Sequence, residues 1–155
     1  MKKILFIMLI FISACTGKVE KRVVSTFDNG SPKKIEYYKI KSNKKIVVKE
    51  ENYYSNGKIK MSGDFYNNKR DGKWIVWYEN GNKWSEGYFN NGLRVKESTI
   101  WYENGNKQIH GFYKDGKTDK TWTFWNEDAE IEKEVVFKDG VKIKEKEYNK
   151  KIPLK

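Results

Sequence analysis

At 155 residues the chain is sized for one domain, and its 15% aromatic and 37% hydrophobic content excludes a disordered polymer despite 34% charged residues. The formal net charge of +11 is carried by the flanks. Residues 18–50 hold 10 basic and 4 acidic side chains and residues 138–155 hold 7 and 3, whereas residues 51–137 hold 13 and 14. A nucleic-acid reader needs its cations on the folded face that meets phosphate, so this distribution argues against a nucleic-acid partner.

Met1-Lys2-Lys3 is a short positive segment, Ile4 to Ile12 is an apolar run, and Ile12-Ser13-Ala14-Cys15 supplies the small residues of a cleavage site. The run is too short to cross roughly 30 Å of hydrocarbon as a helix. This order of charge, apolar run and Ile-Ser-Ala-Cys resembles the lipobox of bacterial lipoproteins, in which the cysteine becomes the mature N-terminus and carries the acyl chains, palmitate among them. The resemblance implies a signal peptide over residues 1–14, lipidation at Cys15, and a lipidated N-terminus and tether over 15–25. Thr16 in place of Asp resembles the default for sorting to the outer membrane, facing the periplasm or the surface. Cys15 is the only cysteine, so an acylated chain has no disulfide and no thiolate metal site. Lys18, Lys21, Arg22, Lys33 and Lys34 follow closely enough to meet anionic headgroups, at about 1 kcal/mol each. A solvated, solubilising surface is the alternative reading of the same residues.

Downstream, the chain repeats itself. Tyr54-Ser-Asn-Gly57, Tyr78-Glu-Asn-Gly81, Tyr102-Glu-Asn-Gly105 and the decayed Asn126-Glu-Asp-Ala129 recur at a spacing of 24, preceded by a looser Phe27-Asp-Asn-Gly30. Gly63, Gly87 and Gly111 follow at fixed distance, with Val135 in the fourth copy. Phe65, Phe89, Tyr113 and Phe137 come two residues later, and Trp77, Trp101 and Trp125 recur in step. A second turn signal lies between the first ones, at Asn68, Asn91-Gly92, Asp115-Gly116 and Asp139-Gly140. Turns at alternating intervals of 11 and 13 residues leave room for short strands only. Asn-Gly and Asp-Gly suit the positive φ of two-residue type I′ hairpin turns. The expected fold is all-β: an elongated, single-layer antiparallel meander of hairpins with a repeat of about 24 residues, and no substantial helix after the signal peptide. The repeat domain spans 26–149, followed by a basic tail over 150–155.

Strand alternation sorts the faces. With a two-residue turn at Asn80-Gly81, Val76 pairs with Ser85, Trp77 with Trp84, and Tyr78 with Lys83. A first face then carries Trp74, Val76, Tyr78, Gly87 and Phe89, with Ile100, Tyr102, Ile109, Gly111 and Tyr113, then Trp122, Phe124, Ile131, Val135 and Phe137. It is apolar throughout and is expected to be the buried or concave side. The second face mixes rings with polar groups: Trp77, Trp84, Tyr88, Trp101, His110, Phe112 and Trp125, beside Ile75, Glu86, Gln108, Glu132 and Glu134. An aromatic surface with polar neighbours suits partner contact; cross-strand ring pairs that only stabilise the sheet are the alternative. These seven aromatic and histidine positions are the candidate binding residues.

The pattern Gly72-Lys-Trp74-Ile-Val-Trp77-Tyr78-Glu-Asn80-Gly81, continuing to Gly87 and Phe89, resembles the bacterial variant of the MORN repeat, a hairpin unit that stacks into an elongated sheet. The match is close over residues 72–116, partial over 54–71 and 117–140, and weak over 20–50. Lys120 at the place of Gly72 and Ala129 at the place of Gly suggest a fraying C-terminal cap. The resemblance implies a non-catalytic scaffold contacting a protein, an envelope polymer or a lipid surface. Some members resemble antitoxins or immunity proteins that neutralise a toxin by direct binding, which is the alternative function. No cofactor, metal site or catalytic residue is expected: His110 is the only histidine and has no second ligand, and no nucleophile elbow or phosphate loop is present.

Overall fold

The computed structural model describes residues 18–148. The signal-peptide segment, Cys15 and the tail 150–155 lie outside the described residues. Eleven strands follow in chain order: β1 (Glu20–Thr26), β2 (Pro32–Lys41), β3 (Lys44–Tyr53), β4 (Ile59–Tyr66), β5 (Lys69–Trp77), β6 (Lys83–Asn90), β7 (Leu93–Trp101), β8 (Lys107–Lys114), β9 (Lys117–Trp125), β10 (Ile131–Lys138) and β11 (Val141–Glu147). Each pairs antiparallel with its chain neighbours in one open sheet. The expected all-β meander is what the chain forms. The sheet starts at Glu20, inside the segment expected to be a tether. All but one residue of β1 is exposed, so this edge strand lacks the alternation by which a strand is read from sequence.

The two ends of the sheet use different turns. At one end Asn91 and Gly92 have φ of 50° and 87°, Asp115 and Gly116 49° and 82°, and Asp139 and Gly140 49° and 89°, the two-residue I′ geometry expected. The other end departs from expectation. Gly81 N–H donates to the Tyr78 carbonyl at 3.0 Å and Tyr78 N–H to the Asn82 carbonyl at 2.8 Å, so the loop is the three residues Glu79-Asn80-Gly81. Only Gly81 has positive φ; the Asn80 carboxamide oxygen instead accepts the Asn82 N–H at 2.8 Å, a local side-chain turn. One further residue is then inserted. Val76 pairs with Ser85 but Trp77 pairs with Lys83, so Trp84 is a bulge residue and not the partner of Trp77. The same slip recurs at Gln108 and Glu132.

Recurring residues of these turns tie neighbouring repeats together. Tyr54 Oη donates to the Trp77 carbonyl at 2.7 Å, Tyr78 Oη to Trp101 at 2.9 Å, and Tyr102 Oη to Trp125 at 2.8 Å. Asn82 and Asn106 donate side-chain N–H groups to the carbonyls of Glu103 and Glu127 at 2.9 and 2.7 Å. The C-terminal copy keeps its geometry instead of fraying: Ala129, at φ 63°, donates to the Asn126 carbonyl at 3.1 Å just as the turn glycines do.

Burial is achieved without a second layer. Trp74, Trp122 and Val135 are 5%, 8% and 4% exposed, all on the first face. The Trp74 indole lies flat on Gly63 and that of Trp122 on Gly111, where a Cβ would stand 2.1 Å from a ring carbon in each case. Each indole N–H donates to a main-chain carbonyl beside its glycine, Asp64 at 3.1 Å and Phe112 at 3.2 Å. Rings laid sideways over glycines thus shield the sheet that strand-on-strand packing would otherwise cover.

Candidate functional site

The second face carries most of the predicted binding residues. Trp77, Trp101 and Trp125 close β5, β7 and β9 beside the three-residue turns, one per repeat and each half-exposed. Lys83 is the register partner of Trp77 and places its ammonium 5.7 Å from the Trp101 ring; Lys107 pairs with Trp101 and sits 6.0 Å from Trp125. The column therefore reads Trp77, Lys83, Trp101, Lys107, Trp125, with indoles separated by cations and not stacked on each other. A two-residue turn would pair Lys83 with Tyr78; the longer loop and the bulge pair it with Trp77 instead. Cation–π contacts at such exposed sites contribute about 0.5–1 kcal/mol each.

Trp84 does not join this column. Its ring centroid lies 6.4 Å from that of Tyr78, and it borders a first-face hollow with Met61 and Val76. The bulge carries it across; at 44% exposed it is among the most open rings of the molecule. Ile131, expected on the first face, is moved the other way and pairs with Trp125.

Tyr88 and Phe112 lie at the opposite end of the second face, near the two-residue turns. Together with Lys96, Glu97, Asp119 and Lys120 they line a hollow of about 520 Å³. Lys120 stands 4.4 Å over Phe112, and Lys73 and Lys96 stand 5.8 and 5.6 Å from Tyr88. Lys96 and Lys120 both occupy the left-handed region at φ 60°, where the equivalent Gly72 has φ 67°. That 24-residue column of Gly, Lys and Lys was the available signal.

Between the two aromatic groups runs a polar row. Glu86 is gripped by Lys73 at 2.6 Å and Lys83 at 2.7 Å. Burial pushes its carboxyl up, but the two lysine contacts outweigh this and hold it below the usual carboxylate range. At the equivalent place His110 Nδ1 lies 2.9 Å from Thr99 Oγ1, with its ring edge-on to Phe112 at 5.8 Å. Glu134 accepts the Tyr148 hydroxyl at 2.7 Å. The row thus changes from glutamate to histidine to glutamate along the sheet, each with its own partners.

The predicted membrane-proximal cations do not form one cluster: only Arg22 and Lys34 meet, and they do so on a carboxylate. Arg22 and Lys34 are taken up by Glu36, at 2.7 and 3.4 Å, and Lys34 also by Glu50 at 2.9 Å. The Arg22 hydrogen bond lowers the Glu36 carboxyl, and the Glu50 contact raises the Lys34 ammonium. Lys21 and Lys33 project from the opposite side of their strands, with Lys33 5.7 Å over Phe27. Lys18 is exposed ahead of β1.

Three segments, residues 47–68, 70–91 and 94–115, match the family model described as the MORN repeat variant. No curated protein matches the chain.

Proposed function

From the premise that this chain carries MORN-type repeats, which in general are non-catalytic binding modules, we propose that it is a lipid-anchored protein of the bacterial cell envelope whose sheet holds another protein or an envelope polymer. The anchor is Cys15, acylated after removal of residues 1–14, and the contact surface is the second face. The observation that carries the reading is the Trp77, Lys83, Trp101, Lys107, Trp125 column. Half-exposed indoles at repeat spacing on an uncovered face are the residue type that dominates binding hot spots, and the flanking ammoniums keep that face soluble while it is empty.

Two measurements test it. Palmitate labelling of the wild type beside Cys15→Ala is expected to mark only the former, which partitions with membranes; equal labelling sinks the anchor. Capture from solubilised envelopes by the full chain is expected to fail when Trp77, Trp101 and Trp125 are all Ala in a variant that still melts cooperatively. Retained capture removes the column from the site. Toxin neutralisation uses the same surface and differs in what is bound. It predicts that deleting the gene sensitises cells to sibling strains.

A further inference from the structure

On the first face two repeats share an arrangement that the repeat between them lacks. Trp74 lies on Gly63 between Phe65 and Phe89, at centroid distances of 5.3 and 6.1 Å, and gives its N–H to the Asp64 carbonyl. Trp122 lies on Gly111 between Tyr113 and Phe137, at 5.0 and 6.2 Å, and gives its N–H to the Phe112 carbonyl. In the intervening repeat the corresponding members are Gly87, Phe89, Tyr113 and the Tyr88 carbonyl, and the residue at the tryptophan position is Ser98. A Cβ on Gly87 would meet nothing closer than the Ser98 hydroxyl at 3.5 Å. Floor, flanking rings and carbonyl are present and the indole is not; the Arg94 guanidinium reaches into its place, with Nη1 3.8 Å from where a Cβ on Gly87 would stand, and a hollow of about 190 Å³ bordered by Trp74, Trp84, Gly87, Phe89 and Ser98 opens beside it.

The charge around this hollow is one-sided. The Arg70 guanidinium stacks on Trp74 at 4.1 Å. Arg94, its equivalent one repeat on, has no such ring and leans between Phe89 and Tyr113 at 5.4 Å from each, its Nη1 at 3.5 Å from Ser98 Oγ. Among the described residues no carboxylate is within salt-bridge distance of either guanidinium. Glu86, which also borders the hollow, has its carboxylate held by Lys73 and Lys83. The segments outside the described residues contain no tryptophan. A second copy would offer the exposed Trp84, whose neighbour Lys83 is the wrong charge for Arg94.

We propose that this hollow is a binding site for the indole of a tryptophan borne on an acidic segment of a partner protein. Arg94 swings out of the gap between Phe89 and Tyr113, the ring takes its place on Gly87 and gives its N–H to the Tyr88 carbonyl, and the flanking carboxylates meet Arg70 and Arg94. The flanking repeats supply the geometry, because they hold their own indoles in this way. Arg94 exchanges its contacts with Phe89 and Tyr113 for a stack on the incoming indole like that of Arg70 on Trp74, and guanidinium–carboxylate pairing adds charge-assisted hydrogen bonds. The site is on the opposite face from the Trp77/Trp101/Trp125 column and stands or falls separately from it.

The test is ¹⁹F NMR of a blocked acidic pentapeptide, Asp-Glu-(5-fluorotryptophan)-Glu-Asp, titrated with the full chain in detergent micelles. The fluorine resonance is expected to shift and broaden saturably. Ser98→Trp fills the hollow from within and should abolish binding. Gly87→Ala should retain the fold but put a methyl where the ring must lie, weakening binding at least about tenfold. Arg70→Gln with Arg94→Gln should weaken it and remove its salt dependence. Near-ultraviolet circular dichroism checks that each variant is folded. Undiminished binding to Ser98→Trp or Gly87→Ala overturns the site. Equal binding of a Lys-flanked peptide overturns the acidic-segment assignment.

Discussion

Replacing Gly63, Gly87 and Gly111 by Ala one at a time separates two environments that are identical in sequence. At Gly63 the new Cβ would stand 2.1 Å from Cδ2 of Trp74, and at Gly111 2.1 Å from Cδ2 of Trp122. Neither indole can stay on the sheet. Lifting Trp74, which is 5% exposed, forfeits much of the roughly 1.5–3 kcal/mol that burial of a large apolar side chain contributes. The edge-to-face contacts with Phe65 and Phe89 go with it, at about 0.5–1.5 kcal/mol each in favourable cases. Partial re-packing returns some of this, so a loss of about 2–4 kcal/mol is expected at either position. For a chain of this size that lowers the melting temperature by roughly 5–12 °C. At Gly87 the nearest atom is 3.5 Å away, an ordinary contact, and the reduced freedom of the unfolded chain leaves Ala neutral or stabilising by up to about 1 kcal/mol. Differential scanning fluorimetry of the three variants is the assay. Equal losses at all three would refute the idea that stacked indoles, and not the glycine backbone, set the requirement.

Other consequences are as specific. Tyr78→Phe deletes the hydroxyl that donates to the Trp101 carbonyl at 2.9 Å and should cost about 1 kcal/mol in denaturant unfolding. Lys96→Gly relieves a left-handed backbone worth roughly 1–2 kcal/mol against about 0.5–1 kcal/mol of glycine entropy, so a small gain in melting temperature is expected. Lys120→Gly should gain less, because its contact with Phe112, at 4.4 Å, is closer than the 5.6 Å contact of Lys96 with Tyr88. The carboxyls of Glu36, Glu51 and Glu86 titrate below the ordinary 4.5. At Glu36 the Arg22 hydrogen bond leads; at Glu51 burial opposes the shift but Lys49, Tyr53 and Tyr37 outweigh it. Lowered folded values give stability that is complete above the unfolded value and lost as pH falls through the folded ones. The melting temperature should therefore hold near neutrality and drop below about pH 4.5, and Glu51→Gln should flatten part of that drop.

Strand number, direction and spacing were readable because Asn-Gly and Asp-Gly signals recur at a fixed interval between β-branched and aromatic runs. The turn chemistry was half readable. The Asp-Gly and Asn91-Gly92 pairs form the I′ turns they suggest, while Asn80 spends its side chain on the Asn82 N–H and the same dipeptide closes a three-residue loop. That loop and the bulge after it put Trp84 on the face opposite the one expected and brought Lys83 beside Trp77. A one-residue slip is invisible to composition yet reverses a side chain. Ser98 was legible in principle, as the odd member of Trp74, Ser98, Trp122 opposite three identical glycines. Its meaning required knowing that each tryptophan lies on a glycine of the neighbouring strand. The segment Glu20–Thr26 gave no signal because an exposed edge strand needs no alternation.

The most direct test of the proposed second-face contact is photocrosslinking in living cells, with benzoylphenylalanine in place of Trp101 in the full chain. A discrete adduct is expected in the membrane fraction, lost when Trp77 and Trp125 are also Ala and absent when the probe replaces exposed Lys142 on β11. An adduct that survives the double substitution, or appears equally from position 142, would contradict the assignment of the column as the contact surface.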